Sequence, residues 1–217
     1  MKTRIASLSL LTIVCLVLAV APAMADTLYD NGPVNGTVDA WPIDDRFAAT
    51  DSATCSQQQC DVTDFHIGVW LTPGNTLTSL EMQVGSTSFG NQYKDQVLNP
   101  TGHTNLFVNG AGFQVAIYDF AGTPLFEVPG GTYWITLQNA VTATSGPVYW
   151  DENSGVGCGS SGCPSSAYEN SIGSIPSEAF TITGSAGGGT TPEPSSIMLF
   201  GSGILGLAGV LRRKLTR

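Results

Sequence analysis

The sequence predicts an all-β protein: an antiparallel β-sandwich of jelly-roll type, lying between an N-terminal signal peptide and a C-terminal single transmembrane helix. Three observations carry this. Apolar residues alternate with polar ones at a period of two along several short stretches, as they do in strands with one face in a core. Clusters of Gly, Pro, Asn and Ser punctuate the chain at roughly ten-residue intervals, the rhythm of turns between short strands. Outside two terminal apolar segments, no stretch spaces its apolar residues for a helix.

The chain opens with Lys2 and Arg4, an apolar run from Leu8 to Val20, and the small-x-small sequence Ala23-Met24-Ala25. These are the three parts of a secretory signal, so residues 1–25 are expected to be removed by signal peptidase, leaving Asp26 as the mature N-terminus. Cys15 would leave with them, and Val14 before it does not suit a lipid-attachment signal.

Residues 26–183 form the expected domain, a normal size for one core. A strand from about Val62 to Leu71 places Phe65, Ile67, Val69 and Leu71 on one face, and the turn Pro73-Gly74-Asn75 ends it. Leu80, Met82 and Val84 alternate in a second strand. After Asn109-Gly110 a third carries Phe113, Val115 and Ile117 on one side, and after a Pro129-Gly130-Gly131 turn a fourth carries Tyr133, Ile135 and Leu137. Shorter candidates are 46–51, 104–108, 125–128, 148–150 and 179–183. Eight or nine such strands suggest two packed sheets. Residues 184–191, rich in Gly, Ser and Thr, read as a flexible linker.

Charge narrows the partners. Of the 17 acidic residues only Glu193 lies outside 26–183, and of the eight basic residues only Arg46 and Lys94 lie inside, so the domain carries 2 − 16 = −14. Nucleic acid and anionic membrane surfaces need clustered Lys and Arg, so neither is an expected partner. Such a surface suits an extracellular setting, or one that collects divalent cations.

Four cysteines remain after processing, as Cys55-Ser-Gln-Gln-Gln-Cys60 and Cys158-Gly-Ser-Ser-Gly-Cys163. Close pairs in an oxidising compartment predict two local disulfides, 55–60 and 158–163. A zinc site made from both pairs is the alternative, weakened by the absence of an accompanying His.

Catalytic signatures are missing. The chain has no Gly-x-Ser-x-Gly, no phosphate-binding Gly-Lys-Ser/Thr loop and no His-Glu-x-x-His. His66 falls on the polar side of its strand and His103 in a loop region, both as surface residues. The acidic pairs Asp44-Asp45 and Asp151-Glu152 do not present themselves as a glycosidase dyad, because neighbours in a strand point to opposite faces. The expectation is a protein that is not an enzyme and needs no cofactor. One segment stands out as a candidate ligand site: Tyr149, Trp150, Asp151, Glu152 and Asn153 set an aromatic face beside carboxylate and amide groups, just ahead of the bridged 158–163 loop. An aromatic stacking on a sugar ring with Asp or Asn bonding its hydroxyls would bind a glycan, and the same oxygens can hold calcium. In that case Trp150 should be partly exposed at a rim. The bland alternative makes Trp150 core and the rest a turn.

The far end has its own design. No charge occurs between Glu193 and Arg212, and the 18 residues Pro194 to Leu211 would make a helix of about 27 Å, close to the bilayer's hydrocarbon thickness. Arg212, Arg213, Lys214 and Arg217 follow and would stay cytoplasmic, leaving the domain outside. Before the helix, Pro192 and Pro194 keep Thr191 and Glu193 extended and open to a protease.

Pro192-Glu193-Pro194, the apolar Gly- and Leu-rich run from Ile197 to Leu211 and the terminal basic cluster together resemble the PEP-CTERM sorting signal, here residues 192–217. The resemblance implies an exosortase, a membrane cysteine transpeptidase, as processing partner. It further implies transient anchoring in the inner membrane, then transfer to the cell surface or an extracellular matrix rich in polysaccharide. The body of the domain resembles a group of PEP-CTERM proteins with a similar β domain through Thr27 to Pro33, Gly130 to Ala140 and Tyr149 to Asn153. That likeness supports the architecture and supplies no catalytic residue. The resulting expectation is a non-enzymatic surface protein, with a lectin-like module for extracellular polysaccharide as the alternative.

Overall fold

The computed structural model describes residues 25–153 and 156–187, so the expected signal peptide, the sorting motif and the C-terminal helix lie outside the described residues. Among the described residues no helix is long and apolar enough to cross a membrane. Eleven strands make up the structure: β1 (Asp26–Asp30), β2 (Ala40–Pro42), β3 (Ala48–Leu71), β4 (Leu77–Gly85), β5 (Lys94–Leu98), β6 (Gly102–Val108), β7 (Gln114–Thr142), β8 (Val148–Asp151), β9 (Ala167–Glu169), β10 (Gly173–Ile175) and β11 (Phe180–Gly187). All their pairings are antiparallel, and they join in one sheet with the main order β1-β11-β3-β7-β4-β5.

Two long strands, β3 and β7, form the spine. They pair from Ala48 with Gln138 through to Leu71 with Gln114, and the register shifts between Cys55 and Gln59 and again between Val62 and Asp64. Bulges of this kind bend a ladder without ending it. Along its other edge β3 takes β9, then β11, then β8, while β7 takes β6 near its start and β4 near its end. Where the sequence suggested two packed sheets, the described strands are hydrogen-bonded into one sheet through β3 and β7.

Most of the alternation translates directly into burial. Phe65, Ile67, Val69 and Leu71 of β3, Leu80, Met82 and Val84 of β4, and Tyr133, Ile135 and Leu137 of β7 all enter one core. The start of β7 differs from expectation. Ala116, Tyr118 and Phe120 face that core, whereas Val115 lies on the opposite face, in a small second cluster with Ala40 and Trp70 that Val34, Phe113 and Tyr149 cover. Both faces of the strand are covered here, so alternation alone could not tell the main core from the minor one.

The expected Pro129-Gly130-Gly131 turn is also corrected: the chain does not reverse there, and Pro129 and Gly131 stay in the ladder opposite Gln59 and Cys55. A Cβ on Gly130 would overlap the Gln57 carbonyl oxygen, so glycine is needed for close approach of the looped-out residues of β3. β11 runs on to Gly187, pairing 184–187 with Gln59 to Val62, so the first half of the expected linker is strand.

Candidate functional site

β8 is held between β2 and the end of β3, with Trp150 opposite both Trp41 and Val69. This fixes the two faces of the 149–153 segment. Trp150 points into the main core and is 0% exposed, meeting Phe65 edge-on at 6.5 Å and Phe180 at 5.8 Å. Its indole N–H donates to the Ala179 carbonyl at 3.1 Å. Trp150 is thus core, as the bland reading of this segment had it, and not the partly exposed rim residue that a glycan site would need: a large apolar ring flanked by two core strands gains from burial.

Asp151 points the other way and is equally buried. Its carboxylate accepts from the backbone N–H groups of Asn35 and Gly36, at 2.9 and 3.0 Å, and from the Trp70 indole. Burial pushes its pKa up to about 6, against the pull of those donors. Asp151 thus pins the segment 31–37 onto the sheet. Gly36 and Gly68 make this fit possible, since a Cβ on either would press into Val115 or Val34.

Glu152 and Asn153 continue the tie. The Glu152 N–H donates to Asp39, the Asn153 N–H to Ser177, and the Asn153 side chain to the Asn31 carbonyl. Glu152 forms an isolated bridge with Glu178. Tyr149 alone of the five is half-buried, its ring edge against Phe113. The five residues are brought together in sequence but divided between two buried faces, and four of them are core or loop anchors.

Beneath this segment lies a polar centre that the alternation did not flag. Asp51 occupies a core-facing position of β3 between Ala49 and Ala53 and is 0% exposed. It accepts from the N–H groups of Ser52 and Glu178, each at 2.7 Å, from Asn31 at 3.3 Å and from Ser177 at 3.4 Å. Burial raises its pKa to about 7 despite these bonds. Glu178 beside it is also wholly buried, and neither carboxylate oxygen has a hydrogen-bond partner. Burial, then the nearby Asp51, Glu152, Asp151 and Asp39, hold its pKa well above the usual carboxylate range. In sequence, the signal that could have found this centre was Asp51 on the apolar side of a strand, where a polar group without a hydrogen bond costs on the order of 2–7 kcal/mol and an ionised carboxylate far more.

The disulfides stand as expected: Cys55–Cys60 and Cys158–Cys163, with Cα separations of 5.9 and 6.0 Å, so the cysteines are bonded to each other and not arranged as zinc ligands. The second loop docks on β1, where Gly159 and Ser160 donate to the Asp30 carbonyl and Asp30 donates to Ser160 Oγ at 2.7 Å. His66 faces Asp119 across β3 and β7, Nδ1 to Oδ1 at 2.6 Å, with both side chains about one-third exposed. His103, expected in a loop, lies in β6 and stacks on Tyr118 at 5.1 Å. Asp44 and Asp45 line an open cavity of about 460 Å³ with Ala140, Thr142, Ser145 and Pro147. Asp44 accepts from the Val148 N–H, and burial raises its pKa. Among the described residues no three His, Cys, Asp or Glu side chains are gathered as ligands around one point.

The comparison with known families reaches the other end of the chain. Residues 190–214 match the family model of the PEP-CTERM protein-sorting motif. The chain thus carries this sorting motif, which supports an exosortase-sorted exported protein made as a membrane-anchored precursor. No curated protein matches the chain.

Proposed function

We propose that the β domain is a non-enzymatic module of the cell surface or extracellular matrix, delivered there when an exosortase cleaves the chain at the motif Pro192-Glu193-Pro194. The single observation that carries this reading is the sorting motif at 190–214. The basic residues Arg212, Arg213, Lys214 and Arg217 would hold the precursor's end in the cytoplasm during processing. A domain of charge −14 with two local disulfides suits an oxidising, solvated exterior. We take its architecture as a jelly-roll-like sandwich. In support, both arms of the β3–β7 spine bury their inner faces in one core.

A lectin-like role is the second reading, and the open cavity at Asp44 and Asp45 favours it over the 149–153 segment. The cavity is large enough for a sugar unit and offers carboxylate and hydroxyl groups at the surface.

One experiment addresses both. Replacing Pro192-Glu193-Pro194 by Ala-Ala-Ala should leave full-length protein in the inner membrane, detected through an epitope at the uncleaved C-terminus. Equal release of wild type and variant would overturn the sorting role. If released wild-type protein stays bound to extracellular polysaccharide and an Asp44→Asn, Asp45→Asn variant does not, the lectin-like reading takes precedence.

A further inference from the structure

Glu178 is the least satisfied group of the described structure. It sits just before β11, where the Glu178 N–H is spent on Asp51 and its carbonyl on Asn31. Its side chain is 0% exposed, and both carboxylate oxygens lack partners. The two buried aspartates near it are well provided: Asp51 has four donors and Asp151 three. A carboxylate left bare among donors that satisfy its neighbours points to a ligand for that carboxylate.

The neighbours name the ligand's charge. Asp51, Glu152, Asp151 and Asp39 all act on Glu178 as like charges, and Glu152 stands directly across the bridge from it. No protein cation is at hand. The domain's only basic residues are Arg46, which lies over the Phe47 ring, and Lys94 of the edge strand β5. A proton would cancel the charge of Glu178 but leave its new O–H donor and its carbonyl oxygen both without a partner. A hard divalent cation would engage both oxygens.

We infer that Glu178 and Glu152 hold a calcium-type divalent cation at the junction of β8, β11 and the segment following β1. Such an ion takes about six to eight oxygens, so those beyond the two carboxylates would come from backbone carbonyls and water. The ion would tie three stretches of chain together: Glu152 after β8, Glu178 before β11 and the Asn31 region that bonds to both neighbourhoods. Extracellular calcium modules bind at about 10⁻⁴–10⁻³ M, which sets the affinity to expect. The inference does not depend on the sorting reading, since it concerns the folded domain alone.

The test is the thermal midpoint of the full chain in detergent, in mildly alkaline buffer, with EGTA or with about 10 mM CaCl2. Binding at that affinity should raise Tm by about 3–10 °C in wild type. Glu178→Gln, which keeps the shape and removes the charge, should lose most of that gain while melting in EGTA no lower than wild type. An unchanged wild-type Tm in calcium, or the same gain in Glu178→Gln, overturns the site. Should the variant not fold, calorimetric titration of wild type with CaCl2 decides: one saturable ion per chain supports the site, and no saturable binding overturns it.

Discussion

Trp150 shows how a residue that looks like a ligand contact becomes a structural one. Its ring is enclosed by Phe65 and Phe180, and its single polar atom is matched by the Ala179 carbonyl, which leaves nothing for a sugar to replace. Replacing Trp150 by Ala removes both the packing and the bond and should cost about 3–5 kcal/mol, the range for deleting a buried aromatic. Urea denaturation followed by near-ultraviolet circular dichroism measures this. A loss under about 1 kcal/mol would show that the ring is not in the core, because exposed substitutions lie within about 0.5 kcal/mol. Asp151 on the opposite face has a comparable structural duty, holding the Asn35–Gly36 turn by its backbone N–H groups.

At the scale of elements, the spine made by β3 and β7 runs on through the Pro129-Gly130-Gly131 stretch, where the sequence suggested a turn. The Cys55–Cys60 bridge spans the point where the β3–β7 register shifts, so it closes a looped-out stretch inside a continuous strand. The Cys158–Cys163 bridge shapes a surface loop whose N–H groups reach the Asp30 carbonyl, and so it secures the edge strand β1. Each closes a loop of about six residues, for which the chain-entropy estimate is roughly 2 kcal/mol. Cys→Ser at both members of either pair should lower the unfolding free energy by about that amount. Peptide mapping without reduction should recover the two local pairs. Cross-linked peptides between the pairs would contradict the arrangement.

For the whole molecule, the governing quantity is negative charge, and much of it is inside. Asp51 and Asp151 have folded pKa values of about 7 and about 6, both raised by burial above the ordinary value, and Glu178 is higher than usual for the same reason. Groups raised on folding lend their stability fully below the unfolded pKa of about 4 and lose it as pH climbs through the folded values. Glu81, held low mainly by Asn139, works in the opposite sense, but it lies near the surface where such effects are small. With EGTA present, the unfolding free energy should therefore fall between about pH 4 and pH 8, by at least about 2 kcal/mol. A stability that rises over that interval, as in domains governed by surface carboxylate pairs, would contradict the buried acidic centre.

What the sequence by itself determined is local or terminal. Alternation placed Phe65 to Leu71, Leu80 to Val84 and Tyr133 to Leu137 on core faces, spacing paired the cysteines, and the Pro-Glu-Pro, apolar and basic series marked the sorting motif. Each depends on neighbours within a few residues, which a linear reading contains. Only the tertiary structure decided which face of a doubly covered strand meets the main core, as at Val115 and Ala116, and that Trp150 is inside. It alone brought Asp51 into one buried neighbourhood with Glu152 and Glu178, each more than one hundred residues further along the chain. Burial and electrostatic coupling are properties of what packs against a residue, and that partner is chosen by the pairing of distant strands, not by the residues on either side.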